Sequence, residues 1–263
     1  MNIRMAICFY VVAVLASVYP VSGVAQPIED RMLCEDGLLD SVVSATGLSN
    51  VDTFLSSCRK DPVQSGQAIV ALVRPRTEGD HAGDAAGSTR FDVDMVIWDI
   101  AKQAIVARGT DPGVLLSDAS PLRGTSIDTA RYAVAPGVRA FGLRDEHFPH
   151  SHDSQWSETY LSLYVRKGDT IKRVFRTQVL LTVQGETSKT CNDPLQRAIR
   201  TTIGIGQARH EGYADLIVST QDADEDGYPP KPCGNIRTEK EVSTYDGTTY
   251  GPVAIRMYLH PFD

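Results

Sequence analysis

The sequence predicts a mainly β protein: an antiparallel sandwich, a barrel or a partial propeller with a short N-terminal helical hairpin. From Tyr160 to Arg166, apolar residues alternate with polar ones. A period of two is typical of a strand with one buried face, so we expect Ser162 and Tyr164 to face solvent. The two-residue turn Gly168-Asp169 then matches the twist of a β-hairpin. About ten such segments, separated by turn signals, favour these folds over a βαβ fold.

Residues 1–25 are predicted to be a cleaved signal peptide. Arg4 precedes an apolar run, Met5 to Val18, and the small residues of Gly23-Val24-Ala25 form a cleavage site. The apolar run is shorter than the roughly 20 residues that a membrane-spanning helix needs. We therefore expect a periplasmic or secreted protein with no membrane span after cleavage.

The net charge of −7 argues against two classes of partner, nucleic acids and anionic membrane surfaces. Both are bound by basic stripes. One dense group of basic residues flanks the predicted hairpin turn, and we expect it to be a solvated strand face. It comprises Arg166, Lys167, Lys172, Arg173 and Arg176.

Four cysteines remain after Cys8 is removed with the signal peptide. An even number in an exported chain predicts two disulfides, and four cysteines allow three connectivities. We favour the pairs that are local in sequence, Cys34–Cys58 and Cys191–Cys233. In the chain-entropy model these two bonds contribute about 3.5 and about 4 kcal/mol.

Residues 26–62 are predicted to form a helical N-terminal segment closed by the first disulfide. The apolar spacing of Leu38 to Val43 predicts a helix that ends at Gly47. Asn50 is predicted to cap a second short helix that runs to Cys58.

Residues 63–263 are predicted to form the β-rich domain. Asp111 to Ser126 is polar and expected to be irregular, and Gln221 to Asn235 is expected to be an acidic, proline-rich loop. Asp246-Gly247 predicts the turn of a last hairpin. The clearest strands are predicted at residues 67–73, 91–98, 104–108, 160–166, 170–183, 196–205 and 213–220.

Four segments carry a family resemblance: ARYAVAPGVRAFGLR from Ala130, ETYLSLYVRKGD from Glu158, CNDPLQRAIRTTIGIGQARHEGYADLIV from Cys191 and STYDGTTY from Ser243. Together they resemble a family of exported, β-rich proteobacterial proteins to which no activity is assigned. The resemblance extends over most of the chain after the signal peptide. It implies an exported β-rich fold and no particular chemistry.

Three alternating carboxylates predict a candidate calcium site. Asp222, Asp224 and Asp226, followed by Gly227, match the first half of an EF-hand loop, in which alternate side chains converge on one ion. The second half departs from the motif, because Cys233 replaces the bidentate Glu. The competing interpretation is a solvated acidic loop.

A histidine-rich stretch is a second candidate metal site. His147, His150 and His152 lie within one predicted loop, and imidazoles are ligands for zinc, copper and nickel. The competing interpretation is an exposed polar loop.

Linear motifs for catalysis are absent from the sequence, and we predict no catalytic residue and no cofactor other than the candidate calcium ion. Asp92 and Asp94 share one strand face, which we interpret as an ordinary polar surface. The predicted function is an exported, non-catalytic binding or inhibitor-type module with a protein partner in the periplasm. The alternatives are a calcium- or metal-dependent extracytoplasmic module and a hydrolase without a linear motif.

Overall fold

The computed structural model describes residues 32–76, 87–148, 156–184, 196–226, 230–234 and 236–253. This part of the chain contains one helix, α1, Leu38–Thr46. Its strands are β1 Met32–Leu33, β2 Asp52–Lys60, β3 Gln67–Pro75, β4 Thr89–Asp99, β5 Ala104–Ser117, β6 Leu122–Ala135, β7 Val138–His147, β8 Trp156–Lys167, β9 Thr170–Gln184, β10 Gln196–His210, β11 Tyr213–Asp226, β12 Lys231–Pro232 and β13 Arg237–Ser243. The predicted β-rich fold is confirmed.

The strands form one large, mixed sheet that is not closed into a barrel, and the fold is sandwich-like. The order along the sheet is β1-β2-β3-β4-β5-β9-β10-β11-β12. The antiparallel meander β6-β7-β8-β9 branches from it at β9, and β13 pairs with β11. Two contacts are parallel, β1 with β2 and β5 with β9, and the latter is a single pair, Arg108 with Thr170.

Three apolar clusters lie between layers of this sheet and the helix. The central core contains residues from β2 to β9, including Ile69, Ile97 and Phe141. The second core joins the opposite face of the meander to β11 and to Tyr245, Tyr250 and Val253. The helix-side core packs Leu38 and Val42 of α1 on β2, β3 and β4. Several strands are therefore buried on both faces.

Strand β4 shows how both faces are used. Val93, Met95 and Ile97 lie in the central core, whereas Val96 and Trp98 lie in the helix-side core. The predicted alternation of this strand is correct.

The first predicted helix is confirmed as α1, which ends at Gly47 in the left-handed region at φ 65°. The second predicted helix is wrong, because residues 52–60 form β2 and pair with β3. Asp52 Oδ1 accepts hydrogen bonds from Phe54 N and Leu55 N, both at 3.0 Å. This is a helix-type cap, but it closes only one turn at an irregularity in the strand.

The Cys34–Cys58 disulfide is confirmed, with the two Cα atoms 5.8 Å apart. It attaches the chain before α1 to β2. Because β2 also pairs with β3, the segment 26–62 is joined directly to the β-rich domain.

The predicted hairpin between β8 and β9 is confirmed in its register, with Lys167 opposite Thr170 and Gly168 at φ 66°. The expectation that its polar face lies in solvent is wrong. Ser162 is fully buried and Tyr164 is 1% exposed. Tyr164 packs in the central core and its hydroxyl donates to Asp111 of β5, whereas Ser162 Oγ accepts a hydrogen bond from Arg176 of β9.

Two other boundaries differ from the sequence prediction, whereas the predicted last turn is found where expected. Asp111–Ser126 is mostly strand, since β5 runs to Ser117 and β6 begins at Leu122. The predicted loop after Thr220 begins as strand, since β11 runs to Asp226. The last turn forms at Asp246-Gly247, and an isolated bridge joins Tyr245 to Tyr250. None of the described residues form a helix with the length and apolar character that crossing a membrane requires.

Candidate ligand-binding pocket

Two buried carboxylates on β4, Asp92 and Asp94, are held by basic side chains. Asp94 accepts from Arg108 Nη2 at 2.8 Å, from Arg74 Nε at 3.1 Å and from Thr110 Oγ1 at 2.6 Å. Asp92 pairs with Arg74 Nη2 at 2.9 Å. Burial raises the pKa of Asp94, but the hydroxyl and the two guanidinium groups outweigh burial, so its pKa lies below the ordinary value. These carboxylates are structural anions, and the expectation of a polar surface is wrong because both are buried.

A second polar cluster lies in the meander. Asp145 is fully buried. Its carboxylate accepts a hydrogen bond from Arg176 Nη1 at 2.7 Å, and its other oxygen lies 2.9 Å from His147 Nε2. Arg176 also donates to Ser162 Oγ at 2.9 Å and lies 4.9 Å from the ring centroid of Tyr160. Burial raises the pKa of Asp145, and the charges of Arg176 and His147 outweigh it, so the net shift is downward.

The predicted basic surface at the β8–β9 hairpin is therefore divided by the fold. Arg176 points into the meander, and Arg173 Nε binds Asp111 Oδ2 at 3.0 Å. Arg166, Lys167 and Lys172 are exposed at the tip of the hairpin. The expectation of a solvated strand face is correct for these three residues and for the exposed Arg173, and wrong for Arg176.

His147 is engaged through both ring nitrogens. Its second nitrogen, Nδ1, lies 3.2 Å from the carbonyl oxygen of Ser120, and the side chain is buried. His150 and His152 lie outside the described residues. The contacts of His147 favour a structural role, and the metal site stays a prediction.

The candidate calcium residues Asp222, Asp224 and Asp226 lie in strand β11. An extended strand spaces alternate residues roughly 7 Å apart, whereas calcium ligands converge within about 2.6 Å of one ion. Asp222 is bound by Arg197 Nε at 2.7 Å. Within the described ranges, no group of three or more acidic, histidine or cysteine residues is arranged to hold a metal. Gly227 lies outside those ranges, and the strand geometry gives the calcium prediction no support.

Cys233, at the end of the same acidic segment, is disulfide-bonded. Its predicted partner, Cys191, lies outside the described residues. The Cys191–Cys233 pair stays a prediction.

A pocket of about 220 Å³ opens at one end of the central core, beside the turn between β2 and β3. Ile69, Ile97 and Phe141 form its apolar wall, and all three belong to the central core. The polar lining comes from the Asp61–Gln67 turn, from Thr129 on β6, from Arg139 on β7 and from Arg166 on β8. The pocket thus combines an apolar body with a few polar groups, which is typical of small-molecule sites.

The turn that forms the rim is fixed by its own hydrogen bonds. Asp61 Oδ1 accepts from Val63 N at 2.8 Å and from Gln64 N at 3.3 Å, while Asp61 N donates to Gln67 O at 2.9 Å. Asp61 is the one carboxylate among the described residues that line the pocket, and one of its oxygens holds the turn. Gln67, the first residue of β3, is placed at the pocket by this turn.

Two residues that line the pocket each have a buried side-chain atom without a hydrogen-bond partner among the described residues: Gln67 Oε1 and Arg139 Nε. The same guanidinium is anchored elsewhere, because Arg139 Nη2 donates to the carbonyl oxygens of Thr129 and Ala130. A buried polar group without a partner costs about 1–3 kcal/mol.

The pocket also carries excess positive charge. In the described part of the chain, neither Arg139 nor Arg166 forms an ion pair, and Arg166 Nε donates to the carbonyl of Gly168 at 2.7 Å. Two guanidinium groups and one carboxylate line the site in a chain whose net charge is −7. Guanidinium groups bind carboxylates with two parallel hydrogen bonds.

Sequence reasoning missed this pocket. Gln67 and Arg139 belong to no linear motif, and Arg166 was grouped with the basic hairpin residues. The available signal was Arg139, a charged residue inside the apolar run of β7. Comparisons of the chain with protein-family models, with curated proteins and with solved structures gave no match.

Proposed function

We propose that this protein is an exported, non-catalytic binding module whose pocket at Gln67, Arg139 and Arg166 takes a small carboxylate. The observation that carries the proposal is that two arginines, Arg139 and Arg166, line one pocket and form no ion pair in the described part of the chain. A carboxylate accepts from the guanidinium groups of Arg139 and Arg166, and an adjacent hydroxyl or N–H donates to the Gln67 side chain once that side chain turns towards the pocket. The ligand is therefore a hydroxy acid, an amino acid or the C-terminal group of a peptide.

The pocket volume limits the size of the ligand. Drug-sized ligands occupy roughly 300–1,000 Å³, whereas this cavity measures about 220 Å³. The apolar wall formed by Ile69, Ile97 and Phe141 accommodates a short hydrocarbon body next to the acid.

The Cys34–Cys58 bond supports export, since disulfides persist in oxidising compartments such as the periplasm or the extracellular medium. The signal peptide predicted at residues 1–25 supports the same location. A peptide C-terminus as the ligand is compatible with a protein partner there.

Isothermal titration calorimetry tests the proposal. The probes are lactate, leucine, an acetylated leucyl peptide with a free C-terminus, and the same peptide with a C-terminal amide. We expect binding by at least one carboxylate probe and none by the amide. Binding by the peptide but not by the free acids assigns the ligand to a protein partner.

Arg139→Gln and Arg166→Gln are expected to weaken binding about ten- to one-hundred-fold, because a hydrogen bond to a charged group contributes about 1.5–3 kcal/mol. Arg209→Gln is the matched control, since Arg209 is exposed on β10 and does not line the pocket. Absence of binding by every carboxylate probe, or equal affinity in all three variants, contradicts the proposal.

A further inference from the structure

A second pocket, of about 450 Å³, lies on the other face of the β8–β9 hairpin from the first pocket. Side chains alternate between the two faces of a strand, so Arg166 lines the first pocket whereas its neighbours on β8 line the second. The register places Lys167 opposite Thr170. The hairpin residues that form one wall of this pocket are Val165, Lys167, Thr170, Lys172 and Val174.

The other wall comes from the end of the β10–β11 hairpin and from the last turn. A Cβ atom at Gly247 would meet Glu211 Cγ at 3.7 Å, so the two turns are close neighbours. The last turn is also tied to β9, because Tyr250 N and Thr249 Oγ1 donate to the carbonyl oxygen of Val174 at 2.7 and 2.8 Å. These contacts hold the two walls together. The residues that form the second wall are Glu211, Tyr213, Tyr245, Gly247 and Thr248.

The pocket contains hydrogen-bond donors without a partner in the described part of the chain. Lys167 and Lys172 are exposed and form no ion pair and no hydrogen bond there. The rings of Tyr213 and Tyr245 stack with their centroids 4.2 Å apart, and neither hydroxyl is hydrogen-bonded to a described residue. Burial, and then the neighbouring Tyr213 and Asp246, raise the pKa of the Tyr245 phenol, so this hydroxyl stays protonated near neutral pH.

The charge of the pocket suits a phosphoryl group. Two ammonium groups, Lys167 and Lys172, and one carboxylate, Glu211, line it in a chain whose net charge is −7. An ammonium group binds phosphate as a point charge. A phosphate monoester carries a charge of about −1.5 to −2 near pH 7, which two lysines balance. Glu211 lies on the wall across from the lysines, where its carboxylate is an acceptor for a hydroxyl group.

We propose that this second pocket binds a small phosphate monoester of a polyol or a sugar. The phosphoryl oxygens accept from Lys167, Lys172 and the tyrosine hydroxyls, and a hydroxyl of the alcohol part donates to Glu211. Small-molecule sites measure roughly 300–1,000 Å³, and a volume of about 450 Å³ has room for the alcohol as well as the phosphoryl group. The two pockets share no lining residue, so this site is independent of the proposed carboxylate pocket.

Isothermal titration calorimetry of the exported protein, purified with its disulfides intact, tests the proposal. The probes are glycerol 3-phosphate, glucose 6-phosphate, inorganic phosphate and glycerol. We expect at least one ester to bind about tenfold more tightly than inorganic phosphate, because only the esters offer a hydroxyl to Glu211. Glycerol is expected not to bind. The proposal is overturned if neither ester binds, or if the esters bind no more tightly than inorganic phosphate.

Lys167→Gln and Lys172→Gln are each expected to weaken binding of the ester about tenfold or more, because each removes a charged donor. Lys240→Gln is the matched control, since Lys240 is exposed on β13 and does not line the pocket. Arg139→Gln, in the first pocket, is expected to leave ester binding unchanged. Circular dichroism checks that each variant is folded. Unchanged affinity in both lysine variants, or loss of binding in a folded Arg139→Gln, overturns the assignment to this pocket.

Discussion

The guanidinium of Arg176 donates to both carboxylate oxygens of Asp145, with Nη1 at 2.7 Å from Oδ1 and Nη2 at 2.8 Å from Oδ2. Asp145 lies on β7 and Arg176 on β9, so the pair reaches across β8. On β8, Ser162 Oγ also accepts a hydrogen bond from Arg176. A bidentate pair fixes the relative position of its two side chains. In this fold it fixes three strands of the meander.

We predict that Asp145→Asn lowers the free energy of unfolding by about 3 kcal/mol, since loss of one partner leaves a largely buried guanidinium without its counter-charge. Urea denaturation monitored by circular dichroism measures the change. Asp99→Asn is the control, because the Asp99–Lys102 pair involves a lysine side chain that is 79% exposed. A surface pair contributes little, and equal effects of the two substitutions would contradict this account.

A second prediction concerns pH. Burial lowers the pKa of His147, but the hydrogen bond and charge of Asp145 outweigh burial, and the net shift is upward from 6.5. Protonated His147 therefore stabilises the fold fully below its unfolded pKa, and this contribution is lost as pH rises through the folded pKa. The difference in unfolding free energy between wild type and His147→Gln is expected to be larger near about pH 5.5 than near about pH 8.5.

Tyr160→Phe is the control for this experiment. Burial, and then the hydrogen bond to Glu158, raise the pKa of the Tyr160 phenol, so it stays neutral over this pH range. Its effect on stability is expected to be the same at both pH values. A pH-independent effect of His147→Gln would show that the imidazole and Asp145 are not coupled.

The contact between β5 and β9 gives a third prediction. A Cβ atom added at Gly109 would overlap the backbone carbonyl oxygen of Ile171. Gly109→Ala is expected to lower the free energy of unfolding by about 1–3 kcal/mol or more, as overpacking does. Thermal unfolding of both variants measures the effect. Gly204→Ala is the control, since a Cβ atom at Gly204 would meet atoms of Ile217 at an ordinary distance of 3.7 Å. Equal stability of the two variants would refute the close approach.

The fourth prediction is that Cys34→Ser/Cys58→Ser lowers stability by about 3 kcal/mol, because the bond closes a loop that includes all of α1. The bond also fixes α1 beside β2, where Cys58 lies in the helix-side core. Guanidinium denaturation under non-reducing conditions measures the loss. An unchanged midpoint would mean that packing of Leu38 and Val42 alone holds the helix.

Local chemistry predicted several elements correctly. The alternation in β4 follows from the sequence because the side chains of a strand point to opposite faces in turn, and β8 is a strand as predicted, although both of its faces are buried from Leu161 to Val165. The β8–β9 turn and the end of α1 are predicted correctly, because glycine favours the positive φ that Gly168 and Gly47 adopt. The helix predicted to run to Cys58 is strand β2 instead. The same side-chain cap, here made by Asp52, can close one turn at the start of a helix or in an irregular strand.

The candidate site was beyond this kind of reasoning. Gln67, Arg139 and Arg166 come from three different strands, and only the packing of the turn before β3 against β7 and β8 brings them to one pocket. Likewise, Arg176 and Asp145 are 31 residues apart, and their sequence pattern is that of a solvated strand face.

The strand-rich character, the position of the helix, the main hairpin turn and the Cys34–Cys58 pair follow from the amino-acid sequence alone, because each depends on residues close together in the chain. The tertiary structure decided which polar residues are buried, how β9 joins the meander to the rest of the sheet, and where a ligand pocket opens. Strand pairing and the burial of charges depend on residues that meet only after folding, and a one-dimensional pattern of polar and apolar residues does not specify their partners.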